Sequence, residues 1–247
     1  MSSTDSKTPQ LLVFAGPNGS GKTTLYRELK DTIPLYDFIN ADEIKLQLEK
    51  DHRIELPFQL DPGELADTVS GTTFPETVKE FFRDGRITGF GNVIRFSPDS
   101  VNTYSAAALA DFLRTAYLTR GLNFTVETVF SHPSKLRFLE SARKAGYRIY
   151  LYLIATEDPK LNIRRVKQRV DLGGHDVPQE KIISRYNLCL DNFYDSLEFA
   201  YRAYFWDNSA CQMRLFAELK PDHSLETLDD GPVPNWFFNN ILKKIPE

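Results

Sequence analysis

What this chain can fold into is limited first by one glycine-rich segment, Gly16-Pro-Asn-Gly-Ser-Gly-Lys-Thr23. The segment satisfies the pattern G-x-x-x-x-G-K-[ST]. It follows the apolar run 11–15, which predicts a strand. It precedes Leu25, Leu29 and Ile33, whose four-residue spacing predicts a helix. A strand, a glycine-rich loop and a helix in this order form the setting in which the pattern binds phosphate.

The pattern also assigns chemistry to its residues. Glycines allow successive backbone N–H groups to turn inward around a phosphate, and the positive end of the next helix points at the same anion. Lys22 is expected to reach the β- and γ-phosphates, and the Thr23 hydroxyl to ligate Mg²⁺. A purely structural turn would not account for the lysine and the two threonines. The sequence therefore predicts a site for ATP and Mg²⁺. Its residues are Gly16, Asn18, Gly19, Ser20, Gly21, Lys22, Thr23 and Thr24.

Runs of apolar, β-branched and aromatic residues predict further strands at 37–40, 124–127, 148–155 and 203–206. Segments with helical periodicity separate several of them. Strands that alternate with helices indicate a parallel sheet with helices on both faces. We expect an α/β fold in which ligands gather at the carboxyl ends of the strands.

One long segment, 52–104, interrupts this alternation and is rich in Phe, Gly, Pro and Asp. We interpret it as an insertion that carries short helices at 64–69 and 75–83 and a hairpin near 86–96. It lies where a second substrate could bind. We expect the whole chain, 1–247, to form a single domain around it.

The chain beyond residue 155 has a mostly helical pattern. Helices are predicted at 159–172 and 178–202, because each begins with a proline at a position where the missing N–H is not needed. The C-terminal part, 221–247, is predicted to be a loop and one helix. We expect this helix to pack on the body of the protein through Trp236, Phe237 and Ile241.

Acidic side chains lie at the ends of two predicted strands. Asp42 follows the strand at 37–40 and is placed to accept a proton from an attacking hydroxyl. Its alternative role is to cap the next helix, and we favour catalysis because perturbed carboxylates gather beside bound phosphates. Glu127 could hold Mg²⁺ through water or position a substrate. It could equally be a surface carboxylate that closes a strand.

Two arginines of the predicted helix at 159–172 share one face, since Arg165 and Arg169 are four residues apart. Guanidinium groups over a transferring phosphoryl group stabilise the charge that develops there. The alternative is a solvated basic helix. The pair Gly173 and Gly174 favours function, because it would allow the next segment to swing. His175 is expected to cap or pack this segment rather than to act as a base.

Four segments together resemble the zeta-toxin family of P-loop kinases: GPNGSGKTTL, FINADEI, FTVETVFSHPSKL and RRVKQRVDLGGHDVPQEKIISRY. The resemblance implies a P-loop kinase-like fold. It also implies ATP- and Mg²⁺-dependent phosphorylation of a hydroxyl on a UDP-activated amino sugar, typically UDP-N-acetylglucosamine. By motif position, Lys22 would bind phosphate, Asp42 would be the base, and Arg165 with Arg169 would stabilise the transition state.

The same resemblance implies an acceptor side formed by Glu127, Thr128 and Asp111, and a possible antitoxin protein as partner. The chain departs from the family after the third strand. The better-known toxins carry a Gly-Thr-Gly-Arg-like run there, whereas this sequence reads Thr128-Val-Phe-Ser-His132. Two alternatives stay open: a kinase with another small-molecule or RNA acceptor, and a nucleotide-dependent binding protein without transferase activity.

Charge and composition restrict the partners. A net charge of −4 provides no general attraction to nucleic acid or to an anionic membrane, so neither is expected as a partner. No apolar run approaches the roughly 20 residues that span a bilayer, and the polar N-terminus lacks the apolar core of a secretory signal. We therefore expect a cytoplasmic protein. Cys189 and Cys211 are predicted to be buried thiols rather than metal ligands.

Overall fold

A computed structural model of the protein describes residues 8–71, 74–174 and 176–245. In chain order the strands are β1 (Gln10–Ala15), β2 (Asp37–Ile39), β3 (Arg53–Glu55), β4 (Ile87–Phe90), β5 (Val93–Phe96), β6 (Phe124–Thr128), β7 (Arg148–Ala155), β8 (Arg202–Asp207), β9 (Arg214–Leu219) and β10 (Leu225–Thr227). The helices are α1 (Lys22–Leu29), α2 (Ala41–Asp51), α3 (Glu64–Ser70), α4 (Glu76–Arg83), α5 (Thr103–Arg120), α6 (Ser134–Lys144), α7 (Pro159–Asp171), α8 (Gln179–Ser196) and α9 (Asn235–Asn240). Two compact units divide the chain: the first is Met1–Phe38 with Gly121–Glu247, and the second is Ile39–Arg120.

A seven-stranded sheet organises the first unit, in the order β10-β9-β8-β7-β1-β6-β2. Strand β1 pairs in parallel with β6 and β7, and β7 pairs in parallel with β8. Strands β9 and β10 continue the sheet in antiparallel pairing. The predicted α/β fold with a mostly parallel sheet is confirmed. Because β1, β6, β7 and β8 run the same way, their carboxyl ends meet at one edge of the sheet.

The central strands are continuous apolar runs, as expected for strands buried on both faces. In β7 the residues from Leu151 to Ala155 are all buried. Phe14 of β1 stacks on Tyr152 of β7 with 4.5 Å between ring centroids, and Tyr26 of α1 meets Phe14 edge-on at 5.6 Å. This aromatic packing fixes α1 against the sheet just after the glycine-rich loop.

The C-terminal helix α9 packs on the antiparallel side of the same sheet. Trp236, Phe237 and Ile241 are buried, as the sequence predicts. The ring of Phe216, in β9, lies 5.7 Å from Trp236 and 5.0 Å from Phe237. The carboxylate of Glu157 accepts from the first two backbone amides of α9, which have no partner inside the helix.

The structure corrects two boundaries in this half of the chain. The helix predicted at 178–202 ends at Ser196, because a single 3-10 turn follows it and β8 begins at Arg202. The C-terminal part contains β10 in addition to the predicted loop and helix. Strand β9, which precedes β10, was not predicted.

The second unit contains a three-stranded antiparallel sheet in the order β3-β5-β4, and helix α2 packs on α5. The short helices and the hairpin predicted within 52–104 are present as α3, α4 and β4–β5. Arg120 donates to both carboxylate oxygens of Glu64, at 2.7 and 2.8 Å. These hydrogen bonds lower the pKa of Glu64. That 52–104 is an insertion in a single domain remains a prediction.

Two further predictions concern membranes and thiols. Among the described residues, the helices lack the combination of length and apolarity that a membrane span requires. Cys189 is buried, and its burial raises the thiol pKa to about 12. The prediction for Cys211 is wrong, because this residue is exposed in the connection between β8 and β9.

Candidate active site

The glycine-rich loop, residues 16–23, joins the end of β1 to the start of α1, at the carboxyl edge of the sheet. Gly21 occupies the N-cap position of α1 with φ at 100°, a left-handed conformation that glycine adopts without strain. Helix α1 has no side-chain cap and no acidic residue in its first turn. Its positive end is therefore left without a negative group of its own, which favours an anion at this position.

Buried polar atoms of the loop and its surroundings also fit a polar ligand. The hydroxyl of Ser20 and the Nη1 atom of Arg165 are buried and have no hydrogen-bond partner among the described residues. Both groups can donate, and buried donors without acceptors are costly. Oxygens of a polyphosphate would supply the missing acceptors. The residues present therefore fit the predicted nucleotide.

Lys22 and Thr23, the last residues of the motif, both approach Glu127 at the end of β6. Lys22 is only 6% exposed, and its Nζ donates to Pro17 O at 3.0 Å. The same Nζ lies 4.0 Å from Glu127 Oε1. Thr23 Oγ1 donates to Glu127 Oε2 at 2.8 Å. A hydroxyl and a carboxylate side by side are the hard oxygen ligands that Mg²⁺ takes in proteins, so the pair fits the predicted cation.

The register between β1 and β6 explains how Glu127 comes to lie beside the loop. Glu127 is paired with Phe14, and Thr128 with Ala15, the last residue before the loop. The backbone N–H of Gly16 donates to Thr128 O at 3.4 Å. The hydroxyl of Thr128 donates to Val129 O at 3.4 Å. Thr128 thus supports the loop through its carbonyl group.

Helix α7 brings Arg165 to the loop. The helix is capped by Asp158, whose side chain accepts from the Lys160 amide at 2.8 Å. Arg165, two turns further on, donates from Nη2 to Asn208 Oδ1 at 3.4 Å. Burial, with a contribution from the neighbouring Arg164, lowers the pKa of Arg165. The side chain is therefore a partly desolvated cation held at the loop.

Arg169 lies one turn beyond Arg165, and its side chain is exposed. The Gly174 amide donates to Arg169 O at 2.8 Å, and Gly173 adopts a left-handed φ of 86°. In this structure the glycine pair thus ends helix α7. The predicted hinge motion stays a prediction, and His175 lies outside the described residues.

Two predicted site residues, Asp42 and Asp111, belong to the second unit. Asp42 is exposed in the first turn of α2. The alternative role of Asp42 as a helix cap is wrong, because Asn40 caps α2 and accepts from the Asp42 amide at 2.8 Å. Asp111, on α5, forms an ion pair with Arg114. Burial lowers the pKa of Arg114 to about 10, so its pairing with Asp111 favours a structural role for both.

Comparison with known proteins identifies the family. The model of the AAA_33 family, described as an AAA domain, matches residues 11–184, which is more than half of the chain. The chain belongs to this family. The match begins in β1 and ends in α8, so it includes the glycine-rich loop, Glu127 and helix α7.

Other proteins resemble this AAA domain more distantly. An uncharacterized protein of Haemophilus influenzae is 22% identical over 177 residues, which cover 71% of this chain and 91% of that protein. The crystal structure of AvrRxo1-ORF1:AvrRxo1-ORF2 with sulphate ions has a TM-score of 0.57 at 15% identity, covering 92% of this chain. The crystal structure of AvrRxo1-ORF1:-ORF2 with ATP also has a TM-score of 0.57 at 15% identity, covering 91% of this chain. The chain spans 63% and 62% of the respective matched chains, and at 15% identity the likeness shows the fold alone.

Two residues that contact the loop of the AAA domain were not among the predicted site residues. Asn162, on α7, donates to Asn18 O at 2.7 Å. Asn208, directly after β8, donates to Ser20 O at 2.8 Å. Neither residue belongs to a recognisable motif. Asn162 and Asn208 are separated in sequence from their partners in the loop by 144 and 188 residues, respectively. Only the parallel pairing of β1, β7 and β8 brings them there.

Thr24, the remaining predicted nucleotide ligand, is exposed on the first turn of α1. The described residues contain no cluster of three or more His, Cys, Asp or Glu side chains arranged to hold a metal ion. In proteins Mg²⁺ is usually bound by one or two carboxylates together with substrate phosphates and water.

Proposed function

We propose that this protein is an ATP-dependent kinase that transfers the γ-phosphoryl group to a hydroxyl of a small acceptor. The observation that carries this proposal is the group of side chains at the P-loop. Buried Lys22 and the Thr23–Glu127 pair lie at the carboxyl edge of the sheet. The partly desolvated Arg165 is linked to the same loop through Asn208. Phosphoryl transfer needs little covalent chemistry from the protein and depends on such positioning and charge.

The donor end of the reaction follows from these residues. The loop amides and Lys22 would bind the phosphates. The nucleotide site as a whole would be formed by the motif residues between Gly16 and Thr24. The Thr23 hydroxyl, which is hydrogen-bonded to Glu127, would hold Mg²⁺. The cation would neutralise charge on the phosphates when bound. Arg165 would donate to the transferring group, because its Nη1 is buried and lacks a partner among the described residues. Arg169, one turn away, is proposed as the second cation.

The acceptor end rests on the resemblance to the zeta toxins. We propose a UDP-activated amino sugar, such as UDP-N-acetylglucosamine, as acceptor. Asp42 is proposed as the base that receives the hydroxyl proton. By the same resemblance Thr128 and Asp111 are proposed on the acceptor side, and Glu127 could position the acceptor in addition to supporting Mg²⁺. The Asp111–Arg114 ion pair makes Asp111 the weakest of these assignments.

A test of this function uses purified protein, ATP, Mg²⁺ and a panel of UDP-sugars, with mass spectrometry of the products. We expect the mass of one sugar nucleotide to increase by one phosphoryl group. Asp42→Asn should abolish the transfer while ATP still binds. Asp51→Asn is the matched control, because Asp51 is an exposed acid at the other end of the same helix. ATP binding without transfer to any member of the panel would refute the proposed acceptor class.

A partner protein is a second element of the proposal. Two of the solved structures that share this fold are complexes of AvrRxo1-ORF1 with AvrRxo1-ORF2. This supports, by analogy, a protein partner of the antitoxin kind. Co-expression with the neighbouring reading frame, followed by affinity purification, tests it, and recovery of the kinase alone would count against it.

A further inference from the structure

Asn162 and Asn208 bind two carbonyl groups of the P-loop, those of Asn18 and Ser20, which flank Gly19 in the sequence. Asn162 Nδ2 binds Asn18 O at 2.7 Å, and Asn208 Nδ2 binds Ser20 O at 2.8 Å. The two contacts come from different elements, helix α7 and the connection after β8. The loop is therefore fixed at two peptide groups rather than at one.

Peptide geometry gives these contacts a consequence for phosphate binding. In a planar trans peptide, the C=O of one residue and the N–H of the next point in opposite directions. A donor that holds Asn18 O therefore directs the Gly19 N–H the other way, and one that holds Ser20 O does the same for Gly21. Neither of these two N–H groups has an acceptor among the described residues. They are backbone donors left available for an anion.

We propose that Asn162 and Asn208 are positioning residues that aim the Gly19 and Gly21 N–H groups at the phosphates of the nucleotide. The proposal rests on the proposed function, since it requires a polyphosphate in the loop. It extends that function to two residues that contact no phosphate themselves. Their effect passes through the loop backbone.

Each asparagine is held in turn by groups that fix its amide. Asn162 is fully buried, and its Oδ1 accepts from the Thr156 hydroxyl. Asn208 accepts from Arg165 at Oδ1, and its backbone N–H donates to Ala155 O at 2.9 Å. An amide can donate and accept at once, whereas a carboxylate can only accept. Asn208 thus links the loop to Arg165 through one side chain.

The loop glycines permit this close approach. A Cβ on Gly19 would lie 2.6 Å from Asn162 O, and a Cβ on Gly21 would lie 2.4 Å from Asn208 Nδ2. Both distances are below any normal contact. These two glycines therefore serve the asparagine contacts on the outside of the loop as well as the phosphate inside it.

The test measures binding of MgATP and of inorganic tripolyphosphate by calorimetry to four forms of the full chain. They are the wild type, Asn162→Ala, Asn208→Ala and Asn192→Ala. Asn192 is the matched control, because its Nδ2 also donates to a backbone carbonyl, Phe130 O, at 2.8 Å, but outside the loop. We expect the dissociation constant to rise about tenfold for Asn162→Ala and Asn208→Ala, and by the same factor for both ligands. Asn192→Ala should bind as the wild type does.

A second variant and a second measurement keep the test decisive. Asn208→Asp retains the acceptor for Arg165 but loses the donor to Ser20 O and adds a negative charge beside the loop, so it should bind at least as weakly as Asn208→Ala. Because Asn208 is partly exposed, these variants test the proposal even if Asn162→Ala fails to fold. In ¹⁵N spectra, the amide signals of Gly19 and Gly21 should shift when ATP is added to the wild type, and less in the Asn208 variants.

The failures are distinguishable. Wild-type binding with unchanged affinity in the Asn208 variants would overturn this proposal alone. A wild type that binds neither MgATP nor tripolyphosphate would overturn the proposed function, and this proposal with it. Weaker binding of ATP with unchanged binding of tripolyphosphate would overturn the proposal for the two asparagines, because their effect would then concern the nucleoside and not the phosphates.

Discussion

Replacing Glu127 by glutamine tests how one carboxylate serves both the P-loop lysine and the metal site. Glu127→Gln keeps the side-chain shape and still offers an oxygen to the Thr23 hydroxyl, which donates to Glu127 at 2.8 Å in the wild type. The change removes the negative charge 4.0 Å from Lys22 Nζ. Two unit charges at this distance attract by about 1 kcal/mol in water, and by about 4 kcal/mol at an effective dielectric constant of about 20.

The same carboxylate repels a polyphosphate that carries no metal. Without it, the charge of Lys22 is no longer offset by Glu127. We expect Glu127→Gln to bind ATP about tenfold more tightly in the absence of Mg²⁺, which corresponds to about 1.4 kcal/mol, near the low end of that range. In the presence of Mg²⁺ the gain should disappear, because the cation loses the carboxylate that supports it.

The measured quantity is the ratio of the dissociation constants for ATP with EDTA and with excess Mg²⁺, obtained by calorimetry. This ratio should fall about tenfold in the variant. Glu140→Gln is the control, because Glu140 is a partly exposed carboxylate on α6 that pairs with Lys144. A ratio equal to that of the wild type, or weaker binding of metal-free ATP, would show that Glu127 does not oppose phosphate binding through Lys22.

Three further predictions concern stability and reactivity. Asn40→Ala should lower the free energy of unfolding by about 1 kcal/mol in urea titrations, because it removes the cap of α2, and an unchanged midpoint would contradict this. At pH 8 iodoacetamide should label native Cys211 and leave Cys189 unmodified, since burial raises the Cys189 pKa to about 12; mass spectrometry after digestion would show the reverse if this is wrong. The Arg120 contact lowers the pKa of Glu64. The contribution of this contact to the free energy of unfolding is therefore fully present above pH 4.5, the ordinary pKa, and is lost as the pH falls through the lowered pKa. In Arg120→Ala the free energy of unfolding should therefore fall less steeply at acidic pH than in the wild type, and an unchanged pH dependence would count against the contact.

The sheet and the loop could be predicted from the sequence because their signals are local. The glycine-rich loop has a fixed spacing, and strands buried on both faces form continuous apolar runs such as β7. Helix α7 begins where Asp158 and Pro159 indicate, since a cap and an N-terminal proline act within a few residues. Glu127 could be placed near the loop because parallel strands end at one edge.

The parts that could not be predicted depend on contacts distant in sequence. Asn162 and Asn208 reach the loop only through the pairing of separate strands, and an isolated asparagine carries no spacing signal. Strand β10 has three residues, of which none is fully buried, so it shows no apolar alternation. Helix α2 is capped by Asn40 and not by Asp42. The sequence does not distinguish the two, because asparagine and aspartate cap about equally well and the candidates lie two residues apart.

Nucleotide binding at the loop is tested most directly by calorimetric titration of MgATP into the wild type and into Lys22→Ala, with Lys144→Ala as control. Lys22 is buried at the loop, whereas Lys144 is exposed at the end of α6. We expect saturable binding with one nucleotide per chain in the wild type and in Lys144→Ala, and loss of that binding in Lys22→Ala. Equal affinity in Lys22→Ala, or no binding to the wild type, would contradict this expectation.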